Sequence, residues 1–327
     1  MRFTLRQLSY FVAAGETLSV TRAAEQINIS QPSISAAISH LETELDVQLF
    51  IRHHAQGLSL TPAGSRLLRA AKESLRAAAE LYDVASETND RIAGSLNVGT
   101  FLTLAPLIAP ELWAGFSARH ESVHMTMTEG SEAQLIDSLR LARIDLALTY
   151  DLNMPPDIAF VELARLKSYA IVAADHRFAA RRSVRLAELL DEPYILMDLP
   201  LTRDYFLNLF RQIGGSPRII MEASSSASLR SYVAAGIGYG LMTARPLNRM
   251  AENGLPLVYL PLEDIPDSIS FGIAHLAEIR RSRVVDAFIE YCRQAIGGGV
   301  LPGMMPDMPA DTPPDTPPGA GPHLQSF

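Results

Sequence analysis

The apolar residues between positions 19 and 49 predict two short helices joined by a tight turn. Ala23, Ala24 and Ile27 form one apolar face. Ser30 occupies the position of a helix cap, and Pro32 lies in the first turn of the second helix, where a missing N–H costs nothing. This order is typical of a helix-turn-helix unit, in which the second helix enters the major groove of DNA. The second helix has an apolar stripe at spacings of four, three and four residues: Ile34, Ile38, Leu41 and Leu45.

A further stripe predicts a long helix after this unit. Thr61 is placed to cap it, Pro62 lies in its first turn, and the helix is expected to run to about residue 87. We expect Leu68, Leu75 and Tyr82 to pair with the same helix of a second subunit. The alternative is that the stripe packs against the chain's own body. Its spacings of three and four residues form a heptad pattern: Leu68, Ala71, Leu75, Ala78, Tyr82 and Ala85.

Predicted strands and helices alternate in the following two hundred residues or so, which favours an α/β domain of parallel strand–helix–strand units with right-handed crossovers. The alternation stops and restarts, so two α/β subdomains are expected. Crossing segments near residues 162–168 and 264–269 would join them and enclose a cleft. The expected first lobe comprises about residues 92–163 and 268–296, and the second lobe about residues 164–267.

The first 64 residues contain a series of short motifs: Leu8-Ser9-Tyr10-Phe11-Val12, Thr21-Arg22-Ala23-Ala24, Ile29-Ser30-Gln31-Pro32-Ser33-Ile34-Ser35, Leu41-Glu42, Leu49-Phe50-Ile51-Arg52 and Leu60-Thr61-Pro62-Ala63-Gly64. In their order and spacing they resemble the N-terminal domain of LysR-type transcriptional regulators. Weaker motifs at residues 143–148 and 234–241 extend the resemblance to the effector domain of that family, so that it covers about residues 1–296. The chain departs from the family at four positions where basic or polar residues are frequent: Ala36, Ala37, Ser39 and His40.

The resemblance implies a winged helix-turn-helix domain over residues 1–60, a dimerising linker helix over residues 61–88, and a two-lobed effector-binding domain over residues 89–296. The effector-binding domain would share the fold of periplasmic solute-binding proteins. The implied function is sequence-specific regulation of transcription, modulated by a small-molecule effector. The implied partners are double-stranded promoter DNA with two-fold-related half-sites and further copies of the chain, as a homodimer and a homotetramer. RNA polymerase is a further partner that such a regulator can contact.

The exposed start of the second helix is expected to contact bases. Glutamine can bind adenine through two hydrogen bonds, so Gln31 and Ser35 are expected at base edges, with Pro32 packing nearby. Arg52 is expected to reach from the wing towards the DNA backbone or minor groove. The predicted DNA-binding residues are Thr21, Arg22, Gln31, Pro32, Ser33, Ser35 and Arg52.

The effector is expected where strands end, because ligands of open α/β sheets bind beyond the carboxyl ends of strands and near helix N-termini. Arg203, beside Pro200 and Thr202, suggests a carboxylate site and therefore an organic acid. The alternatives are that Arg203 is a solvated surface residue and that the serines only cap helices. The predicted effector-binding residues are Thr100, Phe101, Thr103, Gly130, Ser131, Pro200, Thr202, Arg203 and Ser225.

Charge and composition fit a soluble globular protein. The 327 residues are 48% hydrophobic and 20% charged, with a net charge of −8, which argues against a protein that coats nucleic acid. Residues 1–66 contain five arginines and five acidic residues. Because phosphate contacts supply most non-specific affinity for DNA, this neutral unit should bind weakly alone and depend on dimerisation.

The single cysteine, Cys292, excludes an intrachain disulfide and fits the reducing cytoplasm, where we expect the protein. The N-terminus lacks the pattern of a signal peptide, and no run of 18 apolar residues suggests a membrane span. His53-His54 has no third ligand nearby, so no metal site is expected. Eight prolines within residues 297–327 predict a disordered, solvated tail, with a proline-motif docking segment as the alternative.

The sequence does not suggest an enzyme. It contains no G-x-S-x-G motif and no nucleophile with a base at motif spacing. No cofactor is expected, because Gly236, Gly238 and Gly240 follow a predicted helix and precede a strand, the reverse of a dinucleotide-binding motif. A solute-binding protein or a small-molecule enzyme of the same α/β class is the alternative function.

Overall fold

The computed structural model describes residues 3–53, 57–85, 92–266, 268–296 and 303–304. The proline-rich tail, apart from residues 303 and 304, lies outside the described residues, as does the end of the predicted linker helix after residue 85. The expectations for these two segments therefore stay predictions.

The N-terminal unit contains three helices and a two-stranded wing. Thr4 and Gln7 form a reciprocal capping box at the first helix, and the Ser30 side chain accepts a hydrogen bond from the amide of Ser33 at the third. Asn28, with a φ of 52°, turns the chain between the second and third helices. The elements are α1 (Leu5–Thr17), α2 (Val20–Gln26), α3 (Gln31–Leu45), β1 (Phe50–His53) and β2 (Gly57–Leu60).

The long helix α4 (Pro62–Ala85) packs part of its apolar stripe against this unit. Leu68 is 2% exposed, and a Cβ atom at position 15 would lie 2.9 Å from its Cδ1 atom, so Gly15 allows α1 to approach it. The prediction that Leu68 contacts a second subunit is therefore wrong: its side chain is buried in its own chain. Leu75 is half-buried against the same core, and the side chain of Tyr82 lies outside the described residues.

The C-terminal domain alternates strands and helices, as its sequence pattern predicts. Its two lobes are connected by two long strands, one in each direction. In chain order the elements are β3 (Gly94–Phe101), α5 (Ala105–Arg119), β4 (Val123–Gly130), α6 (Glu132–Arg140), β5 (Leu146–Tyr150), β6 (Ile158–Lys167), β7 (Tyr169–Ala173), β8 (Pro193–Met197), α7 (Thr202–Gln212), β9 (Arg218–Ala223), α8 (Ser226–Ala234), β10 (Gly240–Met242), β11 (Leu257–Pro261), β12 (Ser268–Leu276) and α9 (Arg283–Ala295).

The sheets are mixed, which corrects the expectation of parallel units throughout. In the first lobe the strand order is β4-β3-β5-β12-β6, with β3 parallel to β4 and β5, and β12 antiparallel to both of its neighbours. The second lobe pairs β10, β7 and β11 antiparallel, and β8 and β9 parallel. In the first lobe the antiparallel pairs involve β12, which returns from the second lobe in the direction opposite to β6.

Buried apolar side chains form two clusters, one in the N-terminal unit and one that extends through both lobes of the C-terminal domain. In the second cluster Phe116 packs edge-to-face on Phe288, and Tyr194 on Phe210. Each of these pairs packs a helix within one lobe. Among the described helices, none combines the length and the apolar character that a membrane span requires.

Candidate functional site: a nucleic-acid interface and an interlobe cavity

The start of α3 lies on the surface of the N-terminal unit. Gln31, Pro32 and Ser33 are exposed and Ser35 is half-buried. The Ser30 and Ser33 hydroxyls are 2.8 Å apart and hydrogen-bonded, so Ser33 is partly occupied in holding the helix start. Gln31 is the long hydrogen-bonding side chain at this end of the helix.

The other predicted DNA contacts are also at the surface. Thr21 and Arg22 are exposed on α2, which packs against α3, and Arg22 Nη2 donates a hydrogen bond of 2.7 Å to the Thr17 carbonyl. Arg52 is exposed on wing strand β1. Farther along α3 the exposed residues are short ones or a histidine: Ala36, Ser39, His40 and Thr43. Base contacts through long donors would thus concentrate at the first turn of α3.

A small cavity lies between the two lobes, and we call it the interlobe cavity. Four strands end at its wall, at Phe101 of β3, Tyr150 of β5, Met197 of β8 and Met242 of β10. Its volume is about 20 Å³, which is room for a single water molecule. Three threonines line it as well: Thr103, Thr202 and Thr243.

A hydrogen bond closes this cavity across the lobes. The Tyr150 hydroxyl of the first lobe lies 2.8 Å from Thr243 Oγ1 of the second, and Thr103 also hydrogen-bonds Tyr150. Burial raises the pKa of Tyr150, so its hydroxyl keeps its proton and can donate. Tyr205 of α7 is held in turn by Ser168, with 2.9 Å between the hydroxyl oxygens. Of these hydroxyl contacts, the Tyr150–Thr243 hydrogen bond is the one that joins the two lobes.

One hydroxyl at the cavity is unsatisfied. Thr202 is 9% exposed, and its Oγ1 atom has no hydrogen-bond partner among the described residues. An unpaired buried hydroxyl destabilises a fold by about 1–3 kcal/mol, so such groups call for an explanation. Because Thr202 lines the cavity, a bound molecule would supply the missing partner. Thr100 Oγ1 is also buried without a described partner, but Thr100 does not line the cavity.

Two predicted effector contacts cap helices instead. Ser131 accepts a hydrogen bond from the Gln134 amide in a capping box at α6, and Ser225 accepts one from the Ser228 amide at α8. Gly130 packs under Gln134 and its neighbour, and Pro200 is exposed. None of these four predicted residues lines the interlobe cavity. The structure brings Phe101, Thr103 and Thr202 together there.

Arg203 is not the available cation that the carboxylate hypothesis required. Its Nη1 atom lies 2.9 Å from Asp198 Oδ1 and 2.6 Å from Glu222 Oε1. These hydrogen bonds raise the pKa of Arg203. The guanidinium group therefore stays protonated, and the two carboxylates balance its positive charge. The organic-acid prediction therefore loses the side chain on which it was based.

Glu132, at the first position of α6, is a buried carboxyl. It is 1% exposed, and its Oε2 atom has no hydrogen-bond partner among the described residues. Burial, with a smaller contribution from the charge of Asp151, raises the pKa of Glu132 to about 8. The carboxyl is therefore mostly protonated at neutral pH.

Among the cavity residues that the sequence reasoning missed, three carry hydroxyl groups: Tyr150, Thr243 and Tyr205. Tyr150 is the last residue of β5, and the loop after this strand was not considered as part of the effector site. Thr243 follows the short strand β10 in the same way. Tyr205 lies one turn into α7, three residues after Thr202, where a helical repeat places it on the same side. The rule that ligands bind at strand ends would have identified the first two.

The N-terminal unit and the first lobe are linked by Lys72 of α4. Its Nζ atom lies 2.6 Å from Glu16 Oε1 on α1 and donates a hydrogen bond of 3.1 Å to the carbonyl of Ala142, in the loop after α6. The Lys72 side chain is 8% exposed. It borders a cavity of about 490 Å³ between α1, α4 and the first lobe. This larger cavity lies between the N-terminal unit and the first lobe. None of the residues that line the interlobe cavity, Thr202 among them, lines it.

Comparison with known families assigns both parts of the chain. A model described as "Bacterial regulatory helix-turn-helix protein, lysR family" matches residues 5–65, and one described as "LysR substrate binding domain" matches residues 89–297.

Relatives of similar length are also found. The HTH-type transcriptional regulator CfxR of Cupriavidus necator is 29% identical over 92% of this chain and 96% of its own length. The HTH-type transcriptional regulator CysB of Haemophilus influenzae is 30% identical over 73% of this chain and 75% of its own.

Solved structures agree with this assignment. HinK, a LysR family transcriptional regulator from Pseudomonas aeruginosa, is 36% identical, with a TM-score of 0.61, over 90% of this chain and 99% of that one. Full-length OxyR from Pseudomonas aeruginosa is 24% identical, with a TM-score of 0.71, over 89% of this chain and 98% of that one, and supports the fold alone. These relatives and folds are those of transcriptional regulators, not of enzymes.

Proposed function

We propose, from the premise that the chain belongs to the LysR family of DNA-binding transcriptional regulators with an effector-binding domain, that a small molecule in the interlobe cavity controls its binding to promoter DNA. The observation that carries the proposal is the unsatisfied Thr202 hydroxyl at a cavity closed by the Tyr150–Thr243 hydrogen bond. A ligand that pairs with Thr202 or replaces this bond changes the relative stability of closed and open lobes. It alters DNA binding only as far as it binds the two states with different affinity.

Base recognition is assigned to the first turn of α3. Gln31 is exposed there and can reach a base edge, with Ser35 one turn farther along. Thr21, Arg22, Ser33 and Arg52 would contact the backbone or groove edges, which position the unit on DNA. Pro32 would pack beside them.

A gel-shift measurement with the DNA upstream of the protein's own gene tests this function. Gln31→Ala should lower the preference for that DNA over random DNA by about 1–3 kcal/mol, which is roughly 5- to 160-fold, because a bidentate base contact is lost. Salt-sensitive, non-specific binding should remain. Gln26→Ala, an exposed glutamine at the end of α2, serves as the matched control. An unchanged preference in the Gln31 variant would remove the recognition assignment, and no preference in the wild type would remove the function.

Self-association is proposed to use the exposed side of α4, opposite Leu68. Ala70, Ser74 and Ala77 are exposed and follow one another at spacings of four and three residues, so they form a stripe of small side chains along the helix. Two such helices could approach closely around a two-fold axis. The dimer would then present two recognition helices to half-sites about 34–36 Å apart, one turn of DNA, or a multiple of that. A tetramer through the effector domains, contact with RNA polymerase and a cytoplasmic location stay predictions.

A further inference from the structure

The wall of the interlobe cavity is uncharged. It has four aromatic rings, of Phe101 and Tyr150 from the first lobe and of Tyr205 and Phe206 from the second. None of the described residues that line it is acidic or basic. Aromatic rings pack best on other flat apolar groups, in stacked or edge-to-face arrangements. The wall therefore suits a flat apolar ligand.

The two basic side chains near this wall, Arg203 and Arg245, do not line the cavity. Arg203 is paired with Asp198 and Glu222. Arg245, two residues after Thr243, is 3% exposed, lies 5.5 Å from the Tyr169 ring centroid and does not line the cavity. An ionised carboxylate would give up its hydration here without meeting a cation, which strongly disfavours its binding.

Hydroxyls supply the polar part of the site. Thr202 Oγ1 has no partner among the described residues, and the Tyr150–Thr243 pair can exchange its hydrogen bond for one to a ligand. A hydroxyl can donate and accept at once, so a single ligand hydroxyl could satisfy Thr202 and one member of that pair.

We infer that the effector is a small uncharged molecule with a flat apolar body and one hydroxyl group, the chemistry of a simple phenol, and that it is not a carboxylate. The inference rests on the proposed function, since it names the class of molecule that the interlobe cavity binds.

Binding of such a molecule must open the lobes. The cavity of about 20 Å³ holds one water molecule, and a six-membered ring is several times larger. The ring can enter only if the Tyr150–Thr243 hydrogen bond breaks and the strand ends move apart. Occupancy would then stabilise an open arrangement of the lobes, which gives the effector a means of changing DNA binding.

The full-length protein can be titrated with phenol and with benzoate, which share a ring and differ in charge. Phenol should raise the Tm and change the affinity for promoter DNA. Benzoate should do neither at the same concentration. Stronger binding of benzoate than of phenol, or no binding of phenol and benzyl alcohol, would overturn the inference.

Two variants with opposite expected effects test the site itself. Thr202→Val keeps the shape of the side chain, removes the unsatisfied hydroxyl and should weaken phenol binding about five- to tenfold. Tyr150→Phe removes the bond that closes the lobes and should strengthen phenol binding about threefold or more. Thr128→Val, an exposed threonine on edge strand β4, is the matched control and should change neither.

The outcomes separate this inference from the proposed function. If wild type and Thr202→Val bind phenol equally, the effector class or its site is wrong, while promoter recognition is unaffected. If promoter DNA is not preferred over random DNA in the absence of any ligand, the proposed function itself fails.

Discussion

Glu132 makes the stability of the fold depend on pH. The unfolded chain releases this proton near pH 4.5, whereas the folded chain keeps it up to about pH 8. Between these values the folded state binds more protons, so the free energy of unfolding falls as the pH rises. The stability that the protonated Glu132 carboxyl contributes to the fold is fully present below pH 4.5 and is lost above about pH 8.

Glu132→Gln removes this titration. It should stabilise the fold at about pH 8 by several kcal/mol, because a buried charge without a partner is avoided and each unit of the pKa difference corresponds to roughly 1.4 kcal/mol. At about pH 5 the two proteins should differ little. Urea unfolding at both pH values measures the difference, with Glu129→Gln on the exposed side of β4 as the control. Equal unfolding curves at the higher pH would show that Glu132 is not buried as described.

Single residues also show how far the sequence could be interpreted. Ser131 and Ser225 stand before helices, and capping was the alternative stated for serines at helix starts; the structure shows it for both. Arg203 could not be judged from its neighbours in sequence. Its partner Glu222 lies on β9, 19 residues away, and only the pairing of β8 with β9 brings the two together.

At the scale of elements, α4 has two stripes, and periodicity alone could not decide which one meets a second subunit. The stripe with Leu68 is the more apolar and is used by the N-terminal unit itself. The exposed stripe consists of small residues that a hydrophobicity pattern overlooks. A short apolar run such as Leu257–Pro261, the strand β11, likewise does not identify its own partner strand from sequence.

The exposed stripe can be tested by charge. Ala77→Glu would place two carboxylates near the proposed two-fold axis and should shift the protein towards monomers in sedimentation. Affinity for promoter DNA should fall as well, because two half-sites are no longer bound together. Ala77→Gln adds the same length without the charge and should retain more of the dimer. Wild-type mass and DNA affinity in Ala77→Glu would assign self-association to another surface.

For the molecule as a whole, sequence patterns predicted the order of units well, because helix caps, stripes and strand–helix alternation are local. The contacts between units were beyond such reasoning. Lys72 lies within an amphipathic helix, and nothing nearby in sequence indicates that it contacts Glu16, 56 positions earlier, and Ala142, 70 positions later. Ala142 has a φ of 48°, in the left-handed region, so the chain turns at the residue whose carbonyl accepts the hydrogen bond from Lys72.

This contact offers a route from the effector to DNA. The helix α6 begins at Glu132, directly after its cap Ser131 and after Gly130 at the end of β4, and the loop that follows the helix contains Ala142. A rigid helix transmits a shift at one end to the other. A displacement of the first lobe would therefore act on Lys72, and through Glu16 on α1, which packs against recognition helix α3. Coupling of this kind is reciprocal, so DNA bound at α3 should also stabilise the C-terminal domain.

Lys72→Met tests the route without an effector, since methionine keeps the apolar stem and removes the ammonium group. Promoter DNA should raise the temperature at which the C-terminal domain of the wild type unfolds in calorimetry. In Lys72→Met that increase should shrink, while DNA affinity changes by less than about threefold, because the base contacts are intact. Lys167→Met changes the chain's other lysine, which is exposed on β6, and should behave as the wild type. If Lys72→Met and Lys167→Met respond equally to DNA, the link through Glu16 and Ala142 transmits nothing.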